Sequence, residues 1–237
     1  MIIFTDLDNC LLDCKYSASS LRSFIQSLIH KGVVISIISS KTEEEILYHL
    51  GELGISAPYG AENGSLVKVG EERIELGTKT NEINEDLKSL SKKMKVKIEL
   101  LIEMDDKRVH EITGLPGYLI PLARDRKFSS PFQVSKGSQD EFIRELRLLD
   151  YTVFWGGKFY QIFRGSSKGK AVRLIRKHKK GYAIGIGDSQ NDYPMLDECD
   201  YPVILNSNRV SKYRRFKNSG PVIWKKVIKK ILGEKNG

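Results

Sequence analysis

The sequence predicts an α/β protein: a doubly wound, Rossmann-like parallel-sheet core with an inserted α+β cap. Three observations carry this. Short, almost wholly apolar runs at residues 1–4, 33–38 and 182–186 alternate with amphipathic helical stretches, the texture of strands covered on both faces. From Thr78 to about residue 164 that texture gives way to charged helices and alternating strands. The strand–helix alternation then resumes to the C-terminus. The boundaries read as 1–77 with 165–237 for the core and 78–164 for the insert.

The elements follow in order. The first strand runs straight into Asp6 and Asp8. Ser17 or Ser19 caps a helix whose apolar face is Leu21, Phe24, Ile25, Leu28 and Ile29, ending at Gly32. Strand 33–38 ends at Ser39. Thr42 and Glu45 form a capping box for helix 43–53, closed by Gly54. A turn-rich link at 59–64 precedes a hairpin, 65–69 with 73–76. In the insert, helix 80–93 leads to an alternating strand at 96–104 and a helix at 106–113 capped by Asp105. Residues 114–117 read as irregular. Strands 132–134 and 152–154 flank helix 139–149, and Gly156-Gly157 supplies a tight hairpin turn. Helix 169–178, strand 182–186, helix 193–199 and strand 203–205 complete the alternation, and helix 222–232 closes the chain.

Composition narrows the function classes. With 237 residues, 40% of them hydrophobic, the chain can bury a sizeable core and is neither disordered nor membrane-spanning. Its apolar runs fall far short of the roughly 20 residues a bilayer requires. No basic segment or cleavage site accompanies residues 1–4, and three sparse cysteines (Cys10, Cys14, Cys199) form no C-x-x-C pair, so a reducing cytoplasm is expected. Lysine and arginine exceed acids by 39 to 30, a net charge of +9. Much of the excess (Arg209, Lys212, Arg214, Arg215, Lys217 and four lysines of the last helix) reads as a solvated helical face, without a nucleic-acid motif. A positive field also attracts small anions. The four histidines show no ligand spacing, so zinc is not expected.

Chemistry concentrates at strand ends. Asp6 and Asp8, spaced i, i+2 beyond an apolar strand, would sit about 6–7 Å apart along an extended chain. Burying two acids requires a cation or donors. One carboxylate could attack phosphorus while the other protonates the leaving oxygen. In Gly185-Ile-Gly-Asp188-Ser-Gln-Asn191-Asp192 a strand delivers Asp188 where a helix begins. With Asp6 and Asp8, these oxygens make the kind of site Mg²⁺ prefers. Lys168, in the first turn of a helix, opposes the helix dipole by roughly 0.3–1 kcal/mol, a conflict that a bound phosphate would remove. Ser39 ends a parallel strand, where ligands of such sheets bind.

Asp6-Leu-Asp8-Asn-Cys resembles the first motif of the haloacid-dehalogenase superfamily, and Gly187-Asp188-Ser-Gln-Asn191-Asp192 its fourth. Ser39 matches the second motif and Lys168 the third. The resemblance implies that Asp6 is the nucleophile and Asp8 the general acid and base. It implies that Ser39 and Lys168 hold the phosphoryl group, and that Asp6, Asp8, Asp188 and Asp192 bind Mg²⁺. Asn9 stands where the family has glycine, a residue that tolerates positive φ, and Cys10 replaces the usual Thr or Val. Stretches across most of the chain resemble, more narrowly, the mannosyl-3-phosphoglycerate phosphatases: residues 39–42, 62–65, 113–116, 126–129, 156–160 and 187–194 among them. That implies a phosphorylated sugar-acid substrate, mannosyl- or glucosyl-3-phosphoglycerate. Contacts are implied from Ser40, Lys41, Asn63 and Asn191, and, on the insert, from Arg126, Ser129, Gly156, Gly157 and Lys158. Lys158 replaces the family's usual arginine, which matters because lysine cannot grip a carboxylate bidentately. Another sugar phosphate such as sucrose phosphate, a phosphomutase, or a nucleic-acid-binding module are the alternative readings.

Overall fold

The computed structural model describes residues 1–206 and 212–233. Arg209, one of the basic residues near the C-terminus, lies outside them.

The core strands are β1 (Ile2–Thr5), β2 (Val34–Ile38) and β3 (Tyr59–Ala61), with helices α1 (Arg22–His30) and α2 (Glu43–Leu53) between them. A hairpin of β4 (Leu66–Val69) and β5 (Glu72–Glu75) follows. The insert contains α3 (Thr80–Met94), β6 (Lys97–Leu100), α4 (Asp106–Thr113) and α5 (Ile120–Arg124). Next come β7 (Phe132–Lys136), α6 (Gln139–Leu148), β8 (Thr152–Trp155) and β9 (Tyr160–Phe163). The core resumes with α7 (Lys168–His178), β10 (Ala183–Gly187), α8 (Tyr193–Leu196) and β11 (Tyr201–Ile204), then β12 (Arg214–Arg215) and α9 (Pro221–Ile231).

Eight strands form one sheet in the order β12-β11-β10-β1-β2-β3-β4-β5. It is parallel from β12 to β3, and the hairpin adds two antiparallel strands at one edge. β1 lies between β10 and β2 with every residue buried, which is why its sequence is a plain apolar run. Two apolar clusters cover the two faces of this sheet. One, around Ile3, Ile35 and Ile184, takes in α1, α2 and Trp224 of α9; the other, around Phe4 and Ile38, takes in α7 and α8. In α9, Trp224, Val227 and Ile228 face inward while Lys226 and Lys230 are exposed, the solvated basic face that the spacing predicts.

The insert's antiparallel sheet, β6-β7-β9-β8, packs α3 and α6 through Phe132, Phe142, Leu87 and Leu146. A smaller cluster joins α4, α5 and Phe159. Three elements differ from the sequence expectation. The 96–104 strand stops at Leu100, because Leu100 and Leu101 are both buried in succession and a 3₁₀ turn, Leu101–Glu103, replaces the alternation. The last helical turn after Leu196 tightens into i, i+3 bonds, so α8 is shorter than 193–199. Residues 117–124 coil into a 3₁₀ turn and α5, started by Pro121 and too short to show a helical period. No described helix is long and apolar enough to cross a membrane.

Candidate active site

Strand register assembles the site. Thr5 pairs with Ile37 on one side and Ile186 on the other. The residues just beyond, Asp6, Ser39 and Asp188, therefore leave three adjacent parallel strands at the same end. Asp6 is 5% exposed. Its Oδ1 accepts from the Leu7 amide at 2.7 Å, and its Oδ2 lies 2.9 Å from Lys168 Nζ. Lys168 begins α7 but is only 1% exposed, and its Nζ also lies 2.6 Å from Asp192 Oδ1. Burial alone disfavours that ammonium, yet the carboxylates of Asp192 and Asp6 outweigh it and hold the lysine protonated well above its usual range. The unfavourable position on the helix dipole is thus offset by two acids within the protein itself.

Asp192 is fully buried beneath this group. Its Oδ2 accepts from the amides of Asp188 at 2.9 Å and Ser189 at 3.1 Å. Gly187 makes this possible: a Cβ there would lie 2.3 Å from Asp192 Cβ. Among the described residues, Asp188 has one side-chain partner, Asn9 Nδ2 at 2.9 Å. Asn9 adopts φ 55, the left-handed region expected at this glycine position, and that turn aims its amide at Asp188. Burial, then the charges of Asp192 and Asp6, push the Asp188 carboxyl far above the normal range.

Asp6, Asp188 and Asp192 each offer a carboxylate oxygen, all within 4.8 Å of one another. Three acids set against one lysine leave a deficit of positive charge, and an all-oxygen donor set suits a hard divalent cation. The residues fit Mg²⁺. Asp8 is a correction: its carboxylate stands apart from that trio, 3.3 Å from Lys41 Nζ. The cause is local. β1 ends at Thr5, and residues 7–11 fold into a wide turn, so Asp6 and Asp8 are not strand neighbours pointing the same way.

Above this floor lies a cleft of about 780 Å³ between the eight-stranded sheet's strand ends and the insert. Asp8, Ser40, Lys41, Arg126, Gly156, Gly157 and Lys158 are among the residues that line it. Gly157 adopts φ +87 at the tip of the β8–β9 turn, which bears Lys158. Bonds cross between the two parts: Thr42 Oγ1 donates to the Leu122 carbonyl at 2.8 Å, and Arg126 Nη1 to the Ser40 carbonyl at 2.7 Å.

Other expected contacts lie elsewhere. Ser129 is fully buried, its hydroxyl donating to Glu62, so it does not reach the cleft. Asn63 is also fully buried. Its Oδ1 accepts from Asn191 Nδ2 at 3.0 Å, while its own Nδ2 has no partner. Ser39 is buried beside them, its carbonyl accepting from the Asn63 amide at 2.8 Å. Arg126 reaches the cleft, but its guanidinium is committed to Ser40, Ser129, Ala123 and, at 3.7 Å, Glu45.

Three residues carry roles that sequence reasoning did not assign. Glu45, the capping-box acid, is 2% exposed and also pairs with Lys41 at 3.2 Å. Lys41 and Arg126 hold its carboxyl below the usual range in spite of burial. Glu62, at φ 46, accepts the amides of Lys127 at 2.8 Å and Phe128 at 3.1 Å, tying the insert to the core. Tyr16 donates to the Thr113 carbonyl at 2.5 Å across the cleft mouth. Only the capping-box spacing offered a signal in sequence; the other two depend on partners 65 and 97 residues away.

A family model described as haloacid dehalogenase-like hydrolase matches residues 3–150. The chain is 32% identical to the mannosyl-3-phosphoglycerate phosphatase of Pyrococcus furiosus, over 88% of this chain and 92% of that protein. It is 31% identical to the glucosyl-3-phosphoglycerate/mannosyl-3-phosphoglycerate phosphatase of Persephonella marina, over 86% and 84% respectively. Among solved structures, a Thermoplasma acidophilum protein superposes with a TM-score of 0.75 at 20% identity, over 99% of this chain and 98% of that one. A haloalkanoate-superfamily phosphatase from Bacteroides thetaiotaomicron does so with a TM-score of 0.71 at 15% identity, over 99% and 95%. At those identities the structures speak for the fold.

Proposed function

The chain belongs to the haloacid dehalogenase-like hydrolases, and from that premise we propose that it hydrolyses the phosphate ester of mannosyl-3-phosphoglycerate or its glucosyl analogue. The observation that carries the chemistry is the gathering of Asp6, Lys168, Asp188 and Asp192 at one end of the sheet, beneath a cleft that Asp8 faces. Residues 78–164 act as the cap over a core of 1–77 and 165–237. The Thr78 amide donating to the Arg164 carbonyl at 3.1 Å supports those boundaries by bringing the insert's ends together.

In the first step an Asp6 carboxylate oxygen attacks phosphorus, the bond to the glycerate oxygen breaks, and Asp8 delivers a proton to that oxygen. In the second, Asp8 takes a proton from water as the water attacks phosphorus and the bond to Asp6 breaks, releasing phosphate. Lys168 holds Asp6 in place and brings positive charge to the phosphoryl oxygens. Asn63 Nδ2, buried and without a partner, is a donor that a phosphoryl oxygen could take up if the substrate reaches it, with Asn191 bonded to the Asn63 Oδ1 and Ser39 to the Asn63 amide. Asp6, Asp188 and Asp192 would hold Mg²⁺, which would supply further positive charge to offset the phosphoryl oxygens.

Specificity rests on charge. Lys41 faces Asp8 and Glu45, Arg126 faces Glu45, and Lys168 faces Asp6 and Asp192. Lys158 Nζ, by contrast, has neutral partners among the described residues, the Tyr16 hydroxyl at 2.9 Å and the Thr113 carbonyl. It is the cleft cation with charge to offer the substrate carboxylate. Phosphate release from mannosyl-3-phosphoglycerate, with and without Mg²⁺, tests the reading. Asp6→Asn should abolish turnover while leaving the far-ultraviolet dichroism unchanged. Metal-dependent turnover near the wild-type rate in that variant would remove Asp6 as nucleophile.

A further inference from the structure

Tyr16 is one of the side chains on which the cleft's two parts meet. It is a core residue, yet its ring packs against both the core cluster around Ile3 and the insert cluster around Phe159. Lys41 Nζ and Lys158 Nζ lie 5.6 and 5.7 Å from its ring centroid, so both lysines of the cleft approach this one side chain. Its hydroxyl donates to the Thr113 carbonyl at 2.5 Å and accepts from Lys158 Nζ at 2.9 Å. Lys158 donates to the same carbonyl. Hydroxyl, carbonyl and ammonium thus close a three-membered ring of hydrogen bonds, using two of the ammonium's three donors.

The loop that presents this tyrosine is built to do so. Tyr16 sits at φ 59, a conformation a bulky residue adopts only when its surroundings impose it. Asp13 imposes it from one side: its carboxylate accepts from the amides of Lys15 at 2.8 Å and Ser17 at 3.0 Å, and its carbonyl from the Tyr16 amide at 3.0 Å. Glu52 imposes it from the other, accepting from Ser17 Oγ at 2.6 Å and the Ala18 amide at 3.2 Å while His49 Nδ1 lies 2.7 Å away. Lysine is a flexible stem ending in a point charge, poorly oriented by itself. An acceptor fixed by that loop takes up the freedom.

We propose that Tyr16 is a specificity-determining positioning residue: its hydroxyl, together with the Thr113 carbonyl, aims the Lys158 ammonium into the cleft to receive the carboxylate of a phosphorylated acid. This rests on the reading of Lys158 as the carboxylate's partner. The carboxylate site then exists only while the core loop and the β8–β9 turn are engaged, so that substrate charge and cap closure are read by one contact.

Tyr16→Phe keeps the ring and removes the hydroxyl. The measured quantity is the ratio of kcat/KM for mannosyl-3-phosphoglycerate to that for 4-nitrophenyl phosphate, which carries no carboxylate. The ratio should fall about tenfold, the scale of one lost hydrogen bond to a charged group, and the change should lie in KM. Lys158→Met should lower the same ratio, and adding Tyr16→Phe to it should change nothing further, since the two act through one contact. If Lys158→Met leaves the ratio unchanged, the carboxylate reading itself is wrong. If Lys158→Met lowers the ratio and Tyr16→Phe does not, or if the two effects multiply, Tyr16 has no part in aiming the lysine. Equal decreases on both substrates in Tyr16→Phe also overturn the proposal, because they would show a general effect on closure.

Discussion

Replacing Lys168 with methionine keeps the stem's volume and deletes the cation set, among the described residues, against the buried Asp6 and Asp192 and the half-buried Asp188. Two ion pairs disappear with it, at 2.6 Å to Asp192 and 2.9 Å to Asp6. Each represents about 6 kcal/mol of attraction at an effective dielectric of about 20. Most of that is consumed by the desolvation of ions that are buried almost completely. Removing one partner of such a group leaves the remaining charge uncompensated, at a net cost of about 3–5 kcal/mol. For a chain of this size that corresponds to a fall in Tm of roughly 6–20 °C. Thermal melts in EDTA at pH 8 measure it. The deficit should shrink as pH falls, because burial and neighbouring charge raise the Asp188 and Asp192 carboxyls and favour their neutral forms, and Mg²⁺ should restore part of it by replacing the missing charge. A variant melting within about 2 °C of wild type in EDTA at pH 8 would refute the charge balance described for this site, whatever the variant's activity.

Two further outcomes follow from the same group. Burial and the charges of Asp192 and Asp6 raise the Asp188 carboxyl to about 8, above the ordinary aspartate value. A raised carboxyl binds protons in the fold that the unfolded chain has released, so metal-free stability should decline as pH climbs from about 4 through that value. The gain in Tm on adding Mg²⁺ should therefore grow between pH 6 and pH 8.5 at fixed metal concentration; an equal gain at both pH values would contradict it. Gly187→Ala would place a Cβ 2.3 Å from Asp192 Cβ, in a part of the site with no room to yield. Its cost should be about 1–3 kcal/mol, read from the urea midpoint. An unchanged midpoint would mean that Asp192 is not held against the strand as described.

What was legible in the sequence is what depends on near neighbours or on period. The apolar runs of β1, β2 and β10 follow from burial on both faces, and the Thr42–Glu45 box closes within three residues. Asn9 takes the left-handed conformation its place in the motif requires, and the order of Asp6, Ser39, Lys168 and Asp188 points to phosphoryl chemistry without coordinates. Tertiary structure alone decided which carboxylates share a site and which cations remain available. Asp8 leaves the acidic trio because the chain turns after Thr5, and Ser129 leaves the cleft because Glu62, far off in sequence, claims its hydroxyl. Lys41, Arg126, Lys158 and Lys168 all read in the sequence simply as cations. Their charges are distinguished only by partners: acids for three of them, and for Lys158 a tyrosine 142 residues away. The physical reason is range. Turn, cap and strand preferences are set by bonds a few residues long, whereas the electrostatic state of a buried group is set by whatever packing brings within a few ångströms.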